Sequence, residues 1–252
     1  MSTPTVRLWH LYPREMNIYA DRGNIAVLGA RLRRRGLDLA LREGGPGEVV
    51  PGDGVDLVYL GGGQDRDQLN VAADLAATKA ADLRALLGGG AVGLFVCGGY
   101  QLAGHRYRTA GGELVAGLGV LDIETTAGPD RLIGDIVLRS DLGPGDEPDR
   151  LVGYENHAGR TTLGAGAAPL GRVVKGHGNN GRDRSEGAVA DRTVGTYLHG
   201  PLLPKNPWLA DLLLGWALEH RYRRPFDLEP LDDHLEQAAH RAALARANNP
   251  RR

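Results

Sequence analysis

The single cysteine of this 252-residue chain stands where a nucleophile could be placed. Cys97 follows an apolar run, residues 91–96, and is followed at once by Gly98 and Gly99. An apolar strand that ends at a nucleophile and turns abruptly into a helix has the geometry of a nucleophile elbow. The turn would lift the sulfur clear of the sheet, and the start of a helix favours the thiolate. Backbone N–H groups just after the nucleophile, such as that of Gly98, can hold a developing oxyanion.

A lone cysteine also has a purely structural interpretation. It cannot form an internal disulfide, and an unpaired cysteine at a strand end is often a small, buried apolar side chain. The two glycines, the helix expected after them and Gln101 favour the catalytic interpretation of Cys97.

A cysteine nucleophile needs an imidazole that takes its proton and returns it to the leaving group. Of the 8 histidines, His199 is the best candidate, because the apolar segment 194–198 delivers it to a turn. Strand ends at one edge of a parallel sheet are where such sites form. His157 is the strongest competitor and could help to shape the site. His10 lies inside a strand, as a core histidine would, and His177 lies in a glycine- and asparagine-rich loop that predicts exposure.

The first half of the chain alternates between strand and helix patterns. Strands are predicted at 6–11, 37–41, 55–60 and 91–96, and helices at 25–35, 67–87 and from about residue 100. Asp21 or Asn24 is placed to cap the first helix. This alternation predicts an α/β fold with a mostly parallel, twisted sheet flanked by helices.

The second half changes character towards extra strands separated by turns. Strands are predicted at 132–139, 171–175, 187–190 and 193–198, followed by helices at 208–222 and 231–247. No interdomain linker is visible. We therefore expect one domain over residues 1–252, with a core of about 5–205 and C-terminal helices over 206–247.

Composition argues against several classes of protein. The formal net charge of −1 gives no basic field for nucleic acid or an anionic membrane. No apolar run approaches the length of a membrane span, and the N-terminus lacks an apolar signal core, so a cytoplasmic location is expected. Neither a phosphate-binding G-x-x-x-x-G-K-[ST] run nor a metal-ligand spacing is visible. We expect no metal and no cofactor in this chain.

Several short motifs match those of a known family. They are residues 10–13, 16–24, 61–65, 97–101, 153–157 and 197–201. In these segments the chain resembles the GatD-type glutaminase subunits of lipid II isoglutaminyl synthases, in the CobB/CobQ-like group of class I glutamine amidotransferases that also contains cobyric acid synthase. The resemblance extends to about Pro207 and implies a flavodoxin-like architecture.

The resemblance assigns roles to particular residues. It implies that Cys97 is the nucleophile that forms a thioester with L-glutamine, and that His199 is the general base. Arg131 falls where the family has an arginine that binds glutamine, and a guanidinium can pair bidentately with an α-carboxylate. The alternative for Arg131 is a solvated loop arginine.

Four further positions follow from the same resemblance. Gly62 and Gly63 fit the second half of the oxyanion hole, which Gly98 completes from the nucleophile turn, and Gln101 lines the glutamine pocket. The alternative for Gly62 and Gly63 is a plain tight turn.

One departure from the wider class I pattern concerns the catalytic triad. Those enzymes carry a glutamate two residues after the histidine, where this chain has Pro201. The resemblance implies that a partner subunit supplies an aspartate instead. That partner would be a MurT-like, Mur-ligase-type synthetase forming a heterodimer with this chain. It would bind ATP and magnesium and amidate the D-glutamate α-carboxyl of lipid II to D-isoglutamine.

Three rival interpretations stay open at this point. The chain could feed ammonia to another synthetase, such as one that amidates a corrinoid. It could be a non-catalytic scaffold that kept the fold, although the pair Cys97 and His199 argues against that. It could also be a cysteine hydrolase on a similar sheet, which Arg131 disfavours.

Overall fold

A six-stranded sheet forms the centre of the protein in the computed structural model, which describes residues 3–17, 22–52, 54–143 and 149–249. Its strands are β1 (Thr5–Leu11), β2 (Asp38–Gly44), β3 (Leu57–Leu60), β4 (Val92–Val96), β11 (Ala188–Ala190) and β12 (Thr193–Thr196). They lie in the order β11-β12-β4-β3-β1-β2. All neighbours are parallel except β11 and β12, which are antiparallel. Parallel strands covered on both faces are apolar throughout, and every residue of β3 and β4 is buried.

Helices connect these strands and close the chain. They are α1 (Arg22–Arg34), α2 (Asp65–Asp74), α3 (Ala80–Gly88), α4 (Gly98–Ala103), α5 (Pro207–Tyr222) and α6 (His234–Asn248). A π-helical turn, Leu75–Lys79, joins α2 to α3, so the single helix predicted over 67–87 has an irregular centre. The α/β prediction with a mostly parallel sheet is confirmed by this arrangement.

A second sheet contains the other strands of the later part of the chain, since β11 and β12 belong to the central sheet. It contains β5 (Arg106–Arg108), β6 (Leu114–Ala116), β7 (Ile123–Ser140), β8 (Asp149–Leu163), β9 (Gly171–Lys175) and β10 (Ser185–Glu186). The long strands β7 and β8 pair antiparallel, with a break in register between Ala127 and Leu132. A break of this kind bends a strand and redirects its side chains. The patterns at 132–139 and 171–175 therefore predicted only part of this sheet.

Two local predictions need correction. Asn24 does not cap α1. It lies inside the helix, fully buried, where its side chain bonds the Tyr59 hydroxyl at 3.1 Å and the Leu203 N–H at 2.9 Å. Asp21, the other proposed cap, lies outside the described residues. The last helix begins at His234 rather than at residue 231.

Charged contacts fasten the C-terminal segment to the central sheet's helices. Arg31 of α1 is 1% exposed and contacts Asp211 of α5 at 2.6 Å and Asp233 at 2.7 Å. Because a buried guanidinium is costly without partners, these carboxylates fix the residues before α6. The single-domain division with its C-terminal helices stays a prediction. Within the described residues, no helix has both the length and the apolar character needed to cross a bilayer.

Candidate active site

Cys97 and His199 follow adjacent parallel strands of the central sheet. Val96 of β4 is in register with Thr196 of β12, and the Cys97 N–H donates to the Thr196 carbonyl at 2.8 Å. Cys97 therefore lies at the carboxyl end of β4, and His199 comes three residues after the last residue of β12. The carboxyl ends of parallel strands meet at one edge, which is where α/β proteins build their sites.

The backbone turns sharply at Cys97 itself. Its φ of 53° and ψ of −106° lie outside the regions that side-chain-bearing residues favour, and α4 begins at the next residue. A non-glycine residue held at positive φ stores strain of about 1–3 kcal/mol and is concentrated at functional sites. The expected strand-turn-helix geometry is present, with the strain on the nucleophile candidate and not on the glycines.

Gly98 and Gly99 are required by close packing. A Cβ at Gly98 would overlap the side-chain amide of Gln68, and a Cβ at Gly99 would overlap the Leu60 carbonyl oxygen. The Gly99 N–H also donates to the Gly61 carbonyl at 3.0 Å. The two glycines thus let α4 approach the end of β3 and the turn after it.

A cavity of about 410 Å³ opens beside Cys97. Its lining is formed by Gly63, Gln64, Arg66, Cys97, Gln101, Tyr107, Arg131, His157, Ala158 and Gly159. Cys97 is only 7% exposed, yet it lies on the cavity wall and is not sealed in the core. Arg66 and Arg131 are exposed residues of the same lining. A thiol deep in the cavity with cations at the mouth suits a substrate whose acyl carbon enters first and whose anionic group stays outside.

The structure brings together most, and not all, of the residues predicted for this site. Cys97, Gln101, Gly63 and Arg131 share the cavity lining. Gly62 and Gly98 are buried neighbours of lining residues. Among the lining residues described, the imidazole is that of His157, while His199 is 1% exposed elsewhere at the same sheet edge.

A chain of buried hydrogen bonds fixes Gln101. Gln68 Nε2 donates to Gln101 Oε1 at 2.9 Å, and Gln101 Nε2 donates to the Tyr197 hydroxyl at 3.3 Å. The Tyr197 hydroxyl lies 2.7 Å from Thr161 Oγ1, which lies 2.7 Å from Thr125 Oγ1. A buried polar network whose members satisfy one another is rigid. Gln101 is therefore a preformed part of the cavity wall.

The two candidate imidazoles have different surroundings. His199 forms an isolated antiparallel bridge with Tyr154 of β8, with N–H···O distances of 2.8 and 3.3 Å. His157 of β8 stacks on Tyr197 with ring centroids 3.6 Å apart and planes 3° apart. Its Nδ1 lies 2.9 Å from the Gly159 carbonyl, which makes Nδ1 the protonated nitrogen. Burial lowers the pKa of His157, and the neighbouring Glu155 only partly opposes that effect.

Two fully buried acidic side chains anchor the backbone behind these imidazoles. Glu155 accepts hydrogen bonds from the N–H groups of His177 and Gly178 at 2.7 and 2.9 Å. Glu186 accepts one from the Tyr197 N–H at 2.6 Å and one from Thr196 Oγ1. The exposed position predicted for His177 is correct. Glu186 therefore holds the chain segment that leads from β12 to His199.

Burial raises the pKa of Glu186 to about 8, which makes stability depend on pH. A carboxyl whose folded pKa is above its unfolded value stabilises the fold fully at pH below the unfolded value, and loses that contribution as pH rises through the folded value. We expect Glu186→Gln to remove this loss. The free energy of unfolding of the variant relative to wild type should rise between pH 5 and pH 8 by up to about 1.4 kcal/mol per pH unit. Urea titrations at the two pH values measure it, and a pH-independent difference would contradict it.

Arg131 owes its position to the irregularity in β7. It lies in the break between Ala127 and Leu132 and donates from Nε to Asn156 Oδ1 at 2.7 Å and from Nη2 to the Asn156 carbonyl at 2.6 Å. The guanidinium is therefore held in place by β8, which a freely solvated loop arginine would not be. The Nε–Nη2 edge is occupied by Asn156, which leaves the Nη1–Nη2 edge for a ligand.

Sequence reasoning missed several residues of this site. Arg66 lines the cavity from the first turn of α2, and Gln68, Tyr197 and Glu186 support the wall from within. For Arg66 a signal was present, since a cation in the first turn of a helix opposes the helix dipole and Arg66 comes three residues after Gly63. The buried polar residues gave no such signal, because their roles depend on contacts between distant strands.

The sequence matches the CobB/CobQ-like glutamine amidotransferase domain over residues 7–207. That match covers most of the chain, so the chain belongs to this family and is a glutamine amidotransferase. No group of three or more metal-ligating side chains suited to an ion occurs in the part of the chain that is described.

Individual relatives show which members of this family the chain resembles over most of its length. The subunit GatD of the glutamine-hydrolysing lipid II isoglutaminyl synthase of Staphylococcus aureus is 38% identical, with 97% of each chain covered. The corresponding GatD subunit of Streptococcus pneumoniae is 36% identical over 90% of this chain and 86% of its own. A cobyric acid synthase of Pelotomaculum thermopropionicum is 36% identical, and only 26% of its length is matched. The resemblance seen in the motifs is confirmed.

Solved structures agree on the fold. A chain of PurLQS from Thermotoga maritima superposes with a TM-score of 0.55 at 14% identity, covering 88% of this chain and 100% of its own. A glutamine amidotransferase from the same organism gives a TM-score of 0.51 at 15% identity, with 96% and 92% covered. At such identities the similarity concerns architecture alone, and it supports the class I-like fold.

Proposed function

We propose that this chain is the glutaminase subunit of a lipid II isoglutaminyl synthase. It would hydrolyse L-glutamine and pass the ammonia to a separate, Mur-ligase-like subunit. The observation that carries the glutaminase part is Cys97, strained at positive φ on the wall of a cavity with guanidinium groups at its mouth. The observation that favours lipid II is the extent of the match to the two GatD subunits.

The extent of the match also bears on the rival acceptor. The chain is similar to GatD subunits over nearly their whole length, but to only about a third or less of each cobyric acid synthase. The GatD relatives are named as subunits of a larger enzyme, so we propose that this chain also works with a separate synthetase subunit. This favours the two-subunit lipid II enzyme over the corrinoid enzyme, whose amidotransferase segment is one part of a longer chain.

The first half of the proposed reaction forms a thioester. The Cys97 thiolate attacks the side-chain carboxamide carbon of glutamine, and the carbonyl oxygen becomes an oxyanion. The backbone N–H groups of Gly98 and of the Gly62–Gly63 turn would stabilise that charge. His199, protonated by the thiol proton, gives the proton to nitrogen as the C–N bond breaks. Ammonia leaves, and γ-glutamyl thioester remains on Cys97.

The second half regenerates the enzyme. His199 takes a proton from water as the water oxygen attacks the thioester carbon. The tetrahedral intermediate collapses, the C–S bond breaks, and glutamate is released with the Cys97 thiolate restored. Arg131 would bind the α-carboxylate throughout, and Gln101 would fix the carboxamide end of the cavity.

The partner completes the proposal. A MurT-like subunit would bind ATP and magnesium, activate the D-glutamate α-carboxyl of lipid II and receive the ammonia through a route closed to water. The reaction would take place in the cytoplasm. Pro201 stands where class I enzymes have a triad glutamate, so we propose that a partner aspartate orients His199 across the interface.

The isolated chain should therefore be a weak glutaminase. We expect glutamine hydrolysis to rise about 10–100-fold when the synthetase subunit is added, because an oriented imidazole is a better base. Ammonia release is measured with and without the partner at saturating glutamine. The matched control is the partner with its interface aspartate changed to asparagine. Full activity without any partner would contradict the shared triad.

The acceptor needs its own test. The reconstituted pair should amidate lipid II with D-glutamate in its stem peptide when supplied with glutamine, ATP and magnesium, as read by mass spectrometry. Transfer to a corrinoid carboxylate instead would establish the rival enzyme. A scaffold without catalysis would leave Cys97 unlabelled by diazo-oxo-norleucine, a reactive glutamine analogue. A cysteine hydrolase would cleave other amides or esters in preference to glutamine.

A further inference from the structure

The mouth of the active-site cavity carries a second guanidinium with no assigned role. Arg66 lies in the first turn of α2, immediately beyond the Gly61–Gly63 turn, and lines the cavity together with Cys97 and Arg131. It comes from the central-sheet side of the cavity, whereas Arg131 comes from β7 of the second sheet. The two cations therefore approach the cavity from separate elements.

The position of Arg66 is electrostatically unfavourable in the chain alone. A cation in the first turn of a helix opposes the helix dipole at a cost of a few tenths of a kcal/mol. Within the described parts of the chain, Arg66 makes neither a hydrogen bond nor an ion pair, whereas Arg131 makes two hydrogen bonds to Asn156. A cation that is left without a protein partner on a cavity wall is available for an anion from solution.

The hydrogen bonds of Arg131 leave one edge of its guanidinium for that anion. Its Nε–Nη2 edge, one of the two edges that can grip a carboxylate bidentately, is used by Asn156. The Nη1–Nη2 edge, which includes the second N–H of Nη2, remains for a ligand. An α-carboxylate bound there still has lone pairs directed away from Arg131, and a second guanidinium can satisfy them.

The burial of each lining residue predicts how glutamine is oriented in the cavity. Cys97, Gln101 and His157 are buried, and Arg66 and Arg131 are exposed at the opening. If the carboxamide of glutamine reaches the thiol, its α-carbon end is left at the opening. The negative charge of the substrate then lies where the two cations are.

We propose that Arg66 is a substrate-specificity residue that binds the α-carboxylate of glutamine opposite Arg131. This rests on the proposed glutaminase function, and it assigns a second contact to the same ligand group. Arg66 takes no part in bond making. It favours substrates that carry an α-carboxylate at the end opposite the side-chain amide. By binding that carboxylate, it holds the amide against Cys97.

Two electrophiles that react with the same sulfur provide the test. Diazo-oxo-norleucine carries the α-carboxylate of glutamine, and iodoacetamide is small and neutral. In Arg66→Gln, the second-order rate of Cys97 alkylation by diazo-oxo-norleucine should fall about tenfold, and that by iodoacetamide should change less than about twofold. The rate of alkylation by diazo-oxo-norleucine for Arg66→Lys should lie between those of wild type and Arg66→Gln. Lysine keeps the positive charge but cannot donate two parallel hydrogen bonds to a carboxylate.

Steady-state kinetics add a second readout. Arg66→Gln should raise KM for glutamine about tenfold with kcat nearly unchanged, as expected for lost binding. The activity towards 4-aminobutanamide, which is glutamine without its α-carboxylate, should not change. Arg172→Gln is the matched control, since Arg172 is an exposed arginine of β9 outside the cavity lining.

The outcomes separate this inference from the proposed function. If wild-type Cys97 does not react with diazo-oxo-norleucine, the glutaminase proposal fails. If wild type reacts and Arg66→Gln reacts equally fast, only the role of Arg66 is wrong. An equal loss with both electrophiles would also overturn it, since Arg66 would then act on the sulfur and not on the carboxylate.

Discussion

Cys97→Ala is expected to abolish glutamine hydrolysis, with kcat lower by at least about 10³-fold, because it removes the sulfur that forms the proposed thioester. Ammonia release in the presence of the synthetase subunit measures this. ATP-dependent amidation of lipid II with free ammonium salts should continue, since that step belongs to the partner. Loss of amidation with ammonia as well would mean that the substitution damages the complex and not the nucleophile.

Stability gives an independent check on the geometry of this residue. Cys97 has a φ of 53°, which costs a residue with a Cβ about 1–3 kcal/mol at its observed ψ of −106°. Cys97→Ala keeps that cost and Cys97→Gly removes it, so the glycine variant should unfold at higher denaturant than the alanine variant. Neither variant carries the thiol, so the comparison concerns the backbone: the strain relieved by glycine, less about 0.4–1 kcal/mol for its freer unfolded chain. Equal stability of the two would contradict a strained nucleophile turn.

His199→Asn is expected to lower kcat for glutamine by about 10²–10⁴-fold, the usual contribution of a general acid–base group. The loss should appear in kcat more than in KM, because proton transfer and not binding is removed. Rapid quenching of the variant with excess glutamine should trap little thioester, since formation of the thioester needs the same group. The initial rate of ammonia release and the pH profile of kcat/KM are the measurements.

His157→Asn is the matched comparison for that experiment. The His157 imidazole lines the cavity, but its Nδ1 is hydrogen-bonded to the Gly159 carbonyl and its ring is stacked on Tyr197. Asparagine can keep the hydrogen bond and loses only the stacking. We expect a loss of less than about tenfold. If His157→Asn proves the more damaging change, the two histidines have been assigned the wrong way round.

The sequence predicted the part of the fold that is repetitive. Apolar runs in β3 and β4 and the helices between them follow from period and composition, so the parallel sheet could be inferred. The second sheet could not. Its long hairpin, β7 with β8, has mixed burial and an internal break at 128–131, and such pairing depends on contacts far apart in the chain.

Residues of the site could be predicted from the sequence only where they belong to short, recognisable motifs. Cys97, His199 and Arg131 stand in such motifs, and their catalytic and binding roles remain predictions. The supporting residues were not predictable, because Glu186 and Gln68 act through partners 11 and 33 residues away. The glycines after Cys97 were expected to serve the turn, but their observed role is to admit neighbouring atoms. Periodicity carries no information about such close approaches.

The cavity has walls from two separate sheets, with Cys97 after a strand of the central one and Arg131 within a strand of the other. In the proposed reaction, the distance between these walls sets the length of the amino acid that can contact both of them. Asparagine, one methylene shorter, could not touch both ends at once. Discrimination between glutamine and asparagine then depends on how the two sheets pack against each other. Substitutions far from any reacting atom can therefore change it.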